Sequence, residues 1–276
     1  MKILAIDVGT GTKDILLYDS EKEIENSMKL VIPSPHLTIG QMISDCESDI
    51  YFDGVIMGGG KIKERCLEHM EKGYKVVFED LAARTIRDNI DQVKSYGFEV
   101  VDENAYEKDL KYSDFTRMQS VIKSLAKDNP EFKPVLMDTK FASIAGVCYD
   151  KEVLKLNSFV VMDIGNGHTT VASIEDGKIQ GVFEHHTRDL TPERLEELVI
   201  ALADGTITHE DVHDEGGHGA FALNPISKLE KVIVAGPKRA LIEGTNLDYY
   251  HAAPGGDVMM TGTVGLVKSM EFLRKE

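Results

Sequence analysis

The chain has 276 residues, 42% hydrophobic and 28% charged, with 24 Gly and no Trp. Its 31 Lys and Arg face 47 Asp and Glu, a formal net charge of −16. That charge excludes a general binder of nucleic acid or anionic membrane, since phosphates are repelled at long range, but it allows a local pocket for one small phosphate ligand.

The elements read as follows in chain order. Residues 3–19, ILAIDVGTGTKDILLYD, are an apolar run, an Asp-x-Gly-x-Gly turn and a second apolar run, the pattern of a β-hairpin. The glycines come too early for a signal peptide. VIMGGG (55–60) is a short strand stopped by glycine, and KIKERCLEHMEKG behind it is helical. KVVFED (75–80) is a strand. The segment 81–97 has helical spacing, with Leu81, Ile86, Ile90 and Val93 on one side and Gly97 as stop. FEVVDE (98–103) is a strand, 104–114 a polar loop, and 116–130 a helix ended by Asn129-Pro130.

In the second half, FVVMDIGNGHTTVASIE (159–175) is another hairpin, and GVFEHHT follows as a strand. Residues 190–205 form a helix with Thr191 as N-cap, Pro192 in its first turn and Gly205 as stop. VIVAGP (232–237) is a glycine-stopped strand followed by the helix-like KRALIEG, and the C-terminal MEFLRKE is an ordinary helix end. No run of about 18 apolar residues exists, so no membrane span is expected.

These elements repeat. Shifted by 156 positions, Asp7, Gly9 and Gly11 fall on Asp163, Gly165 and Gly167. The glycine-stopped strands 55–60 and 232–237 pair next. Asp138…Gly146 and Asp257…Gly265 share one Asp-to-Gly spacing, each acid standing before small residues that begin a helix. Three matches in one order imply two related α/β lobes, 1–150 and 151–276.

Glycine turns let backbone N–H groups approach an anion, and Thr10, Thr12, Thr169 and Thr170 add hydroxyl donors while Lys13 adds a cation. Asp7 and Asp163 stand just before the turns, where a carboxylate tolerates phosphate only through a cation, so both point to Mg²⁺ and its waters. The three cysteines, Cys46, Cys66 and Cys148, are far apart and suit buried thiols in a reducing cytoplasm.

On these motifs the sequence resembles the ATPase superfamily of actin, sugar kinases and heat-shock chaperones. The resemblance implies two ribonuclease H-like α/β lobes with nucleotide in the cleft between them. Asp7 to Thr12, with Gly9, Thr10 and Gly11, is similar to the first phosphate motif; Asp163 to Thr170, with Gly165, Asn166, Gly167 and Thr169, is similar to the second. Asp138 matches the acid that orients the attacking water, and Val232 to Pro237 resembles the adenosine motif, with Gly236-Pro237 where Gly-Gly is usual. Gly262 to Leu273 resembles the closing helix. The phrases GNGHTT (165–170), FEHHT (183–187), DEGGHGA (214–220) and AGPKR (235–239) also resemble a prokaryotic family sometimes labelled a pyruvate formate-lyase activating protein. That label implies a Cys-x-x-x-Cys-x-x-Cys cluster site, which this sequence lacks.

Six of nine histidines lie between 168 and 218. His209-Glu210-Asp211-Val212-His213 formally matches a zincin motif, but Gly216-Gly217 stops its helix after about two turns, so it reads as a solvated acidic helix. His185-His186 ends a strand, with one ring inward and one outward. His168, His185 or His186, His218 and Glu184 are the candidates for a transition-metal site or an acid/base.

Three functional readings follow. The first is a Mg²⁺/ATP-dependent phosphotransferase or ATPase acting on a small molecule, with Asp138, Asp163 and His168 catalytic. The second is a metal-dependent enzyme using the histidines without nucleotide. The third is a sensor or assembly factor that binds without turnover.

Overall fold

A computed structural model describes residues 1–9, 11–53, 61–84, 86–87, 89–101, 116–131 and 134–274. Its elements are β1 (Lys2–Val8), β2 (Thr12–Asp19), β3 (Met28–Pro33), α1 (Pro35–Asp45), β4 (Ile50–Phe52), α2 (Ile62–Glu71), β5 (Val76–Glu79), α3 (Asp80–Ala83), α4 (Ile90–Ser95), β6 (Glu99–Val101), α5 (Thr116–Asp128), α6 (Thr139–Val147), β7 (Ser158–Ile164), β8 (His168–Glu175), β9 (Lys178–His186), α7 (Pro192–Ala203), α8 (Glu210–His213), β10 (Gly219–Ala222), β11 (Val232–Ala235), β12 (Tyr249–His251) and α9 (Thr261–Leu273). Two compact units divide the chain: Met1–Asp7 with Asp14–Val31 and Met137–Glu276, and Val8–Lys13 with Ile32–Leu136. None of the described helices is long and apolar enough to cross a membrane.

In the first unit, six strands run in the order β10-β9-β8-β7-β11-β12. β7, β8 and β9 form an antiparallel meander, and β11 and β12 continue it in parallel. A three-strand meander extended on its first strand by parallel strands is the ribonuclease H-like order expected from the sequence. Side-chain alternation gives this sheet two apolar faces. Val160, Met162 and Ile164 pack with Leu195, Leu198 and Leu202 of α7. Phe159 and Val161 pack with Ile144 and Val147 of α6 on the other side.

The β1-β2-β3 sheet buries Ala5, Leu16 and Tyr18 against Met260, Val264 and Val267 of α9. Each of the two sheets in this unit therefore rests on a helix of the repeated acid-led pair. Those helices meet main chain to main chain. A Cβ on Gly146 would stand 1.9 Å from the Thr261 carbonyl oxygen, and one on Gly265 would stand 1.9 Å from that of Ala142. Gly146 and Gly265 are equivalent in the repeat, as are Ala142 and Thr261, so the crossing is reciprocal. The acids ahead of them both cap a helical turn: the Asp138 carboxylate accepts from the N–H of Lys140 at 3.0 Å at the start of α6, and that of Asp257 accepts from the N–H of Met259 at 2.9 Å at the start of a 3-10 turn (Val258–Met260) that leads into α9.

In the second unit, β4, β5 and β6 form a parallel sheet. Ile43 of α1, Ile62 and Cys66 of α2, Ala82 and Ala83 of α3 and Val93 of α4 close over Val76 and Phe78. The single helix expected over 81–97 is two short helices, because the Asn89 side chain accepts from the N–H of Asp91 at 2.8 Å and starts a new one. The helix-like segment expected after β11 is a 3-10 helix, Arg239–Gly244. The expected strand 55–60 and loop 104–114 lie outside the described residues.

Replacing Gly265 or Gly146 by Ala is expected to lower unfolding stability by about 3 kcal/mol or more, because a methyl cannot coexist with a carbonyl oxygen at that separation. Urea titration of each variant measures this. A loss below about 1 kcal/mol would mean that the helices part at little cost.

Candidate functional site

The first turn joins β1 to β2. The N–H of Gly9 donates to the Thr12 carbonyl at 2.9 Å, which closes it. Ser34, just past β3, braces it: its hydroxyl donates to the Gly9 carbonyl at 2.7 Å and its N–H to the Gly11 carbonyl at 3.1 Å. Ser34 is fully buried, with its hydroxyl also 2.7 Å from Nδ1 of His36.

The second turn joins β7 to β8 in the same way. The N–H of Gly165 donates to the His168 carbonyl at 2.9 Å. Thr187, just past β9, donates its hydroxyl to the Gly165 carbonyl at 2.9 Å and its N–H to the Gly167 carbonyl at 3.0 Å. Ser34 and Thr187 thus do one job in two copies of the motif, although neither belongs to a pattern legible in the sequence.

The acids ahead of the turns are also treated alike. Asp7 accepts from the Thr139 hydroxyl at 3.3 Å, and a Cβ on Gly262 would stand 2.0 Å from its Oδ2. A Cβ on Gly236, a residue with φ of +95°, would stand 2.4 Å from Oδ1 of Asp163. Each carboxylate has a glycine where any other residue would strike it. Burial pushes the Asp163 carboxyl above the usual range, and a hydrogen bond from Ser143 offsets this only in part.

Other expected site residues are placed as follows. Asp138 caps α6. Thr169 is fully buried, with its hydroxyl 3.0 Å from that of Thr187, so it faces the brace. Asn166 and Pro237 are exposed, and Lys13 is half-buried. Thr10 lies outside the described residues.

The histidines separate into three groups. His168 opens β8 and His186 closes β9, directly opposite each other. The N–H of Thr187 bonds to the carbonyl of Gly167 beside them, which makes them a non-hydrogen-bonded pair, the kind whose side chains stand closest. His218, just before β10, is tied by its N–H to the Glu184 carbonyl at 2.8 Å. The ring centroids are 4.8 Å apart for His168–His186 and 5.0 Å for each of these with His218. Burial lowers the His168 and His186 rings below the usual histidine range; nearby His218 lowers both further, while Glu184 opposes the shift at His168. Glu184 itself is paired with Lys140 at 2.9 Å. Burial alone would lower the Lys140 ammonium, but Glu184 more than offsets it, and the net shift is upward.

His185, a candidate ligand in the sequence, faces the other way: it is 1% exposed, with Nδ1 3.2 Å from the His186 carbonyl. His209 and His213 stack on each other at 5.0 Å in a short helix, without a long helix to present the zincin motif. Thr208 and Asp211 cap that helix reciprocally.

A family model described as "Putative pyruvate format-lyase activating enzyme (DUF1786)" matches residues 57–115 and 102–241, together more than half of the chain. The Cys-x-x-x-Cys-x-x-Cys run that such a description implies is not in the sequence, whose cysteines stand at 46, 66 and 148; burial raises the Cys66 thiol to about 12 and that of Cys148 to about 11. No curated protein matches the chain. Among solved structures, it is similar to ethanolamine utilization protein EutJ from Carboxydothermus hydrogenoformans, at 13% identity over 96% of this chain and 88% of that one, with a TM-score of 0.38. It is similar to inorganic polyphosphate/ATP-glucomannokinase from Arthrobacter sp. strain KM at 15% identity over 99% of each chain, TM-score 0.41. It is also similar to the activator of the 2-hydroxyisocaproyl-CoA dehydratase from Clostridium difficile with bound ADPNP, at 11% identity over 100% and 98%, TM-score 0.40. Likeness this distant says nothing about activity, and the ribonuclease H-like assignment stands on strand order.

Ser34→Ala and Thr187→Ala are each expected to cost about 1–2 kcal/mol, since each removes a buried hydroxyl–carbonyl bond, while Thr187→Ser keeps it. Guanidinium unfolding of the three variants checks this. Equal losses for Thr187→Ala and Thr187→Ser would assign the effect to the methyl group instead.

Proposed function

We propose that this chain, which belongs to the DUF1786 family, binds a nucleotide with Mg²⁺ at its two glycine turns and acts as an ATP-dependent phosphotransferase or ATPase on a small molecule. The observation that carries the proposal is the duplication of the turn down to its hydrogen bonds: Gly9 with Ser34, and Gly165 with Thr187. A loop needed only to reverse the chain has no reason to keep the same carbonyls braced, and an acid set against a glycine, in both copies.

The residues fit a cation. Glycine at 262 and at 236 lets each carboxylate pack directly on main chain, which fixes the direction of its oxygens. The raised Asp163 carboxyl is one whose ionised form a nearby cation would favour. Asp7 and Asp163 would hold Mg²⁺ through its waters, and the ion would neutralise charge developing on the transferred phosphoryl group. The main-chain N–H groups of Gly11, Asn166 and Gly167, with the Thr12 hydroxyl, would donate to phosphate oxygens. Lys13 would add a positive charge. Asp138 would orient the attacking hydroxyl or water. Gly236-Pro237 would lie against the nucleoside. Catalysis of this kind is positioning and charge stabilisation rather than covalent chemistry.

Millimolar ATP or ADP with Mg²⁺ is expected to raise the melting temperature, by about 2.7 kcal/mol of added stability at a hundredfold excess over Kd. Asp7→Asn is expected to remove the rise while the protein stays folded. Absence of any rise with ATP, ADP or GTP would overturn the reading. Binding without phosphate release or transfer would reassign the chain as a sensor.

A further inference from the structure

We propose that His168, His186 and His218 form a site for one divalent transition metal of the zinc class, beside the second glycine turn, with its fourth coordination position open. The three side chains offer ring nitrogens that all lie within 4.8 Å of one another. They come from three adjacent strands at one end of the sheet: the first residue of β8, the last of β9 and the residue before β10. Such backbone positions are fixed by the sheet ladder, and rigid elements hold a ligand set more closely than loops do.

The segment carrying His218 is held on both sides. A Cβ on Gly217 would stand 2.6 Å from Val212 Cγ1, and one on Gly219, at φ +105°, would stand 2.2 Å from His209 Nδ1. Glycines there let the strand press against its neighbours, and the bond from the His218 N–H to Glu184 fixes its height. Among the described residues, no protein group hydrogen-bonds to the three rings, whereas His36, His69 and His185 each have such a partner.

Imidazole is the ligand type shared by zinc, cobalt, nickel and copper, whereas magnesium takes oxygen. A tetrahedral site with bonds of 2.0–2.1 Å puts nitrogens about 3.3 Å apart, so modest χ rotations bring the rings from their present spacing onto an ion. Three histidines complete three positions. Glu184 lies on the same strand face as His186 but is engaged by Lys140, which suits it to balance charge at the edge of the site while the fourth position stays open to water or substrate. By sequence alone His185 and His186 are equivalent candidates; burial of His185 leaves His186 for the site.

The test uses chelator-treated full-length protein without nucleotide, so its outcome is independent of the Mg²⁺-nucleotide proposal. Titration with Co²⁺ is expected to give the intense visible absorption of four- or five-coordinate cobalt at one equivalent, and Zn²⁺ is expected to displace it. His186→Ala and His218→Ala are each expected to weaken binding at least a hundredfold, whereas His213→Ala leaves it unchanged; circular dichroism confirms that each variant folds. In the unaltered protein, Zn²⁺ is expected to shift the ring ¹H–¹⁵N signals of three histidines, a readout that needs no variant. One-equivalent binding that survives the His186→Ala/His218→Ala double change, zinc shifts at other histidines, or no binding at 10 µM metal would each overturn the site.

Discussion

The first unit depends on the contact between α6 and α9, where two helices touch through main-chain atoms with no side chain between them. One sheet leans on each helix, so the crossing sets where both sheets lie, and with them Asp7 and Asp163. α9 carries Gly262 to Asp7, and α6 carries Thr139 to the same carboxylate. A bulkier crossing would widen all of these approaches together, because the helices are the common support.

What the sequence made legible is local and covalent. Asp7, Gly9 and Gly11 lie within five residues, so the turn, its acid and its copy at 163–167 could be read as a pattern. Asp138 and Asp257 were legible as helix starts for the same reason, and the structure shows both as caps. Ser34 and Thr187 were not legible. They close their turns from 25 and 22 residues away, and nothing in the intervening chain fixes that spacing. The break between α3 and α4 escaped because apolar spacing continues through it: Ile86 and Val93 both reach the core. Asn89 makes the break by offering its side chain to the backbone, a competition that periodicity cannot register.

The histidines show the same divide. Alternation along β9 dictated that His185 and His186 face opposite sides, but which side is the interior depends on α8 and the Gly217 segment that cover His185. His218 joins His168 and His186 only because β10 returns to pair with β9. The large negative charge has a local counterpart in this unit: Lys140 stands on Glu184, so the acid that acts on the His168 ring is already matched.

The brace on each turn has a bearing on ancestry. The loop between the first two strands is locked by a residue that follows the third, so a bare hairpin cut from either half would carry an unlocked loop. The smallest inheritable piece with an intact loop therefore runs from Lys2 to Ser34 in one half and from Ser158 to Thr187 in the other. If one gene segment gave rise to both, it encoded at least a three-stranded meander with its hydroxyl latch, and serine and threonine are the two forms in which that latch has survived.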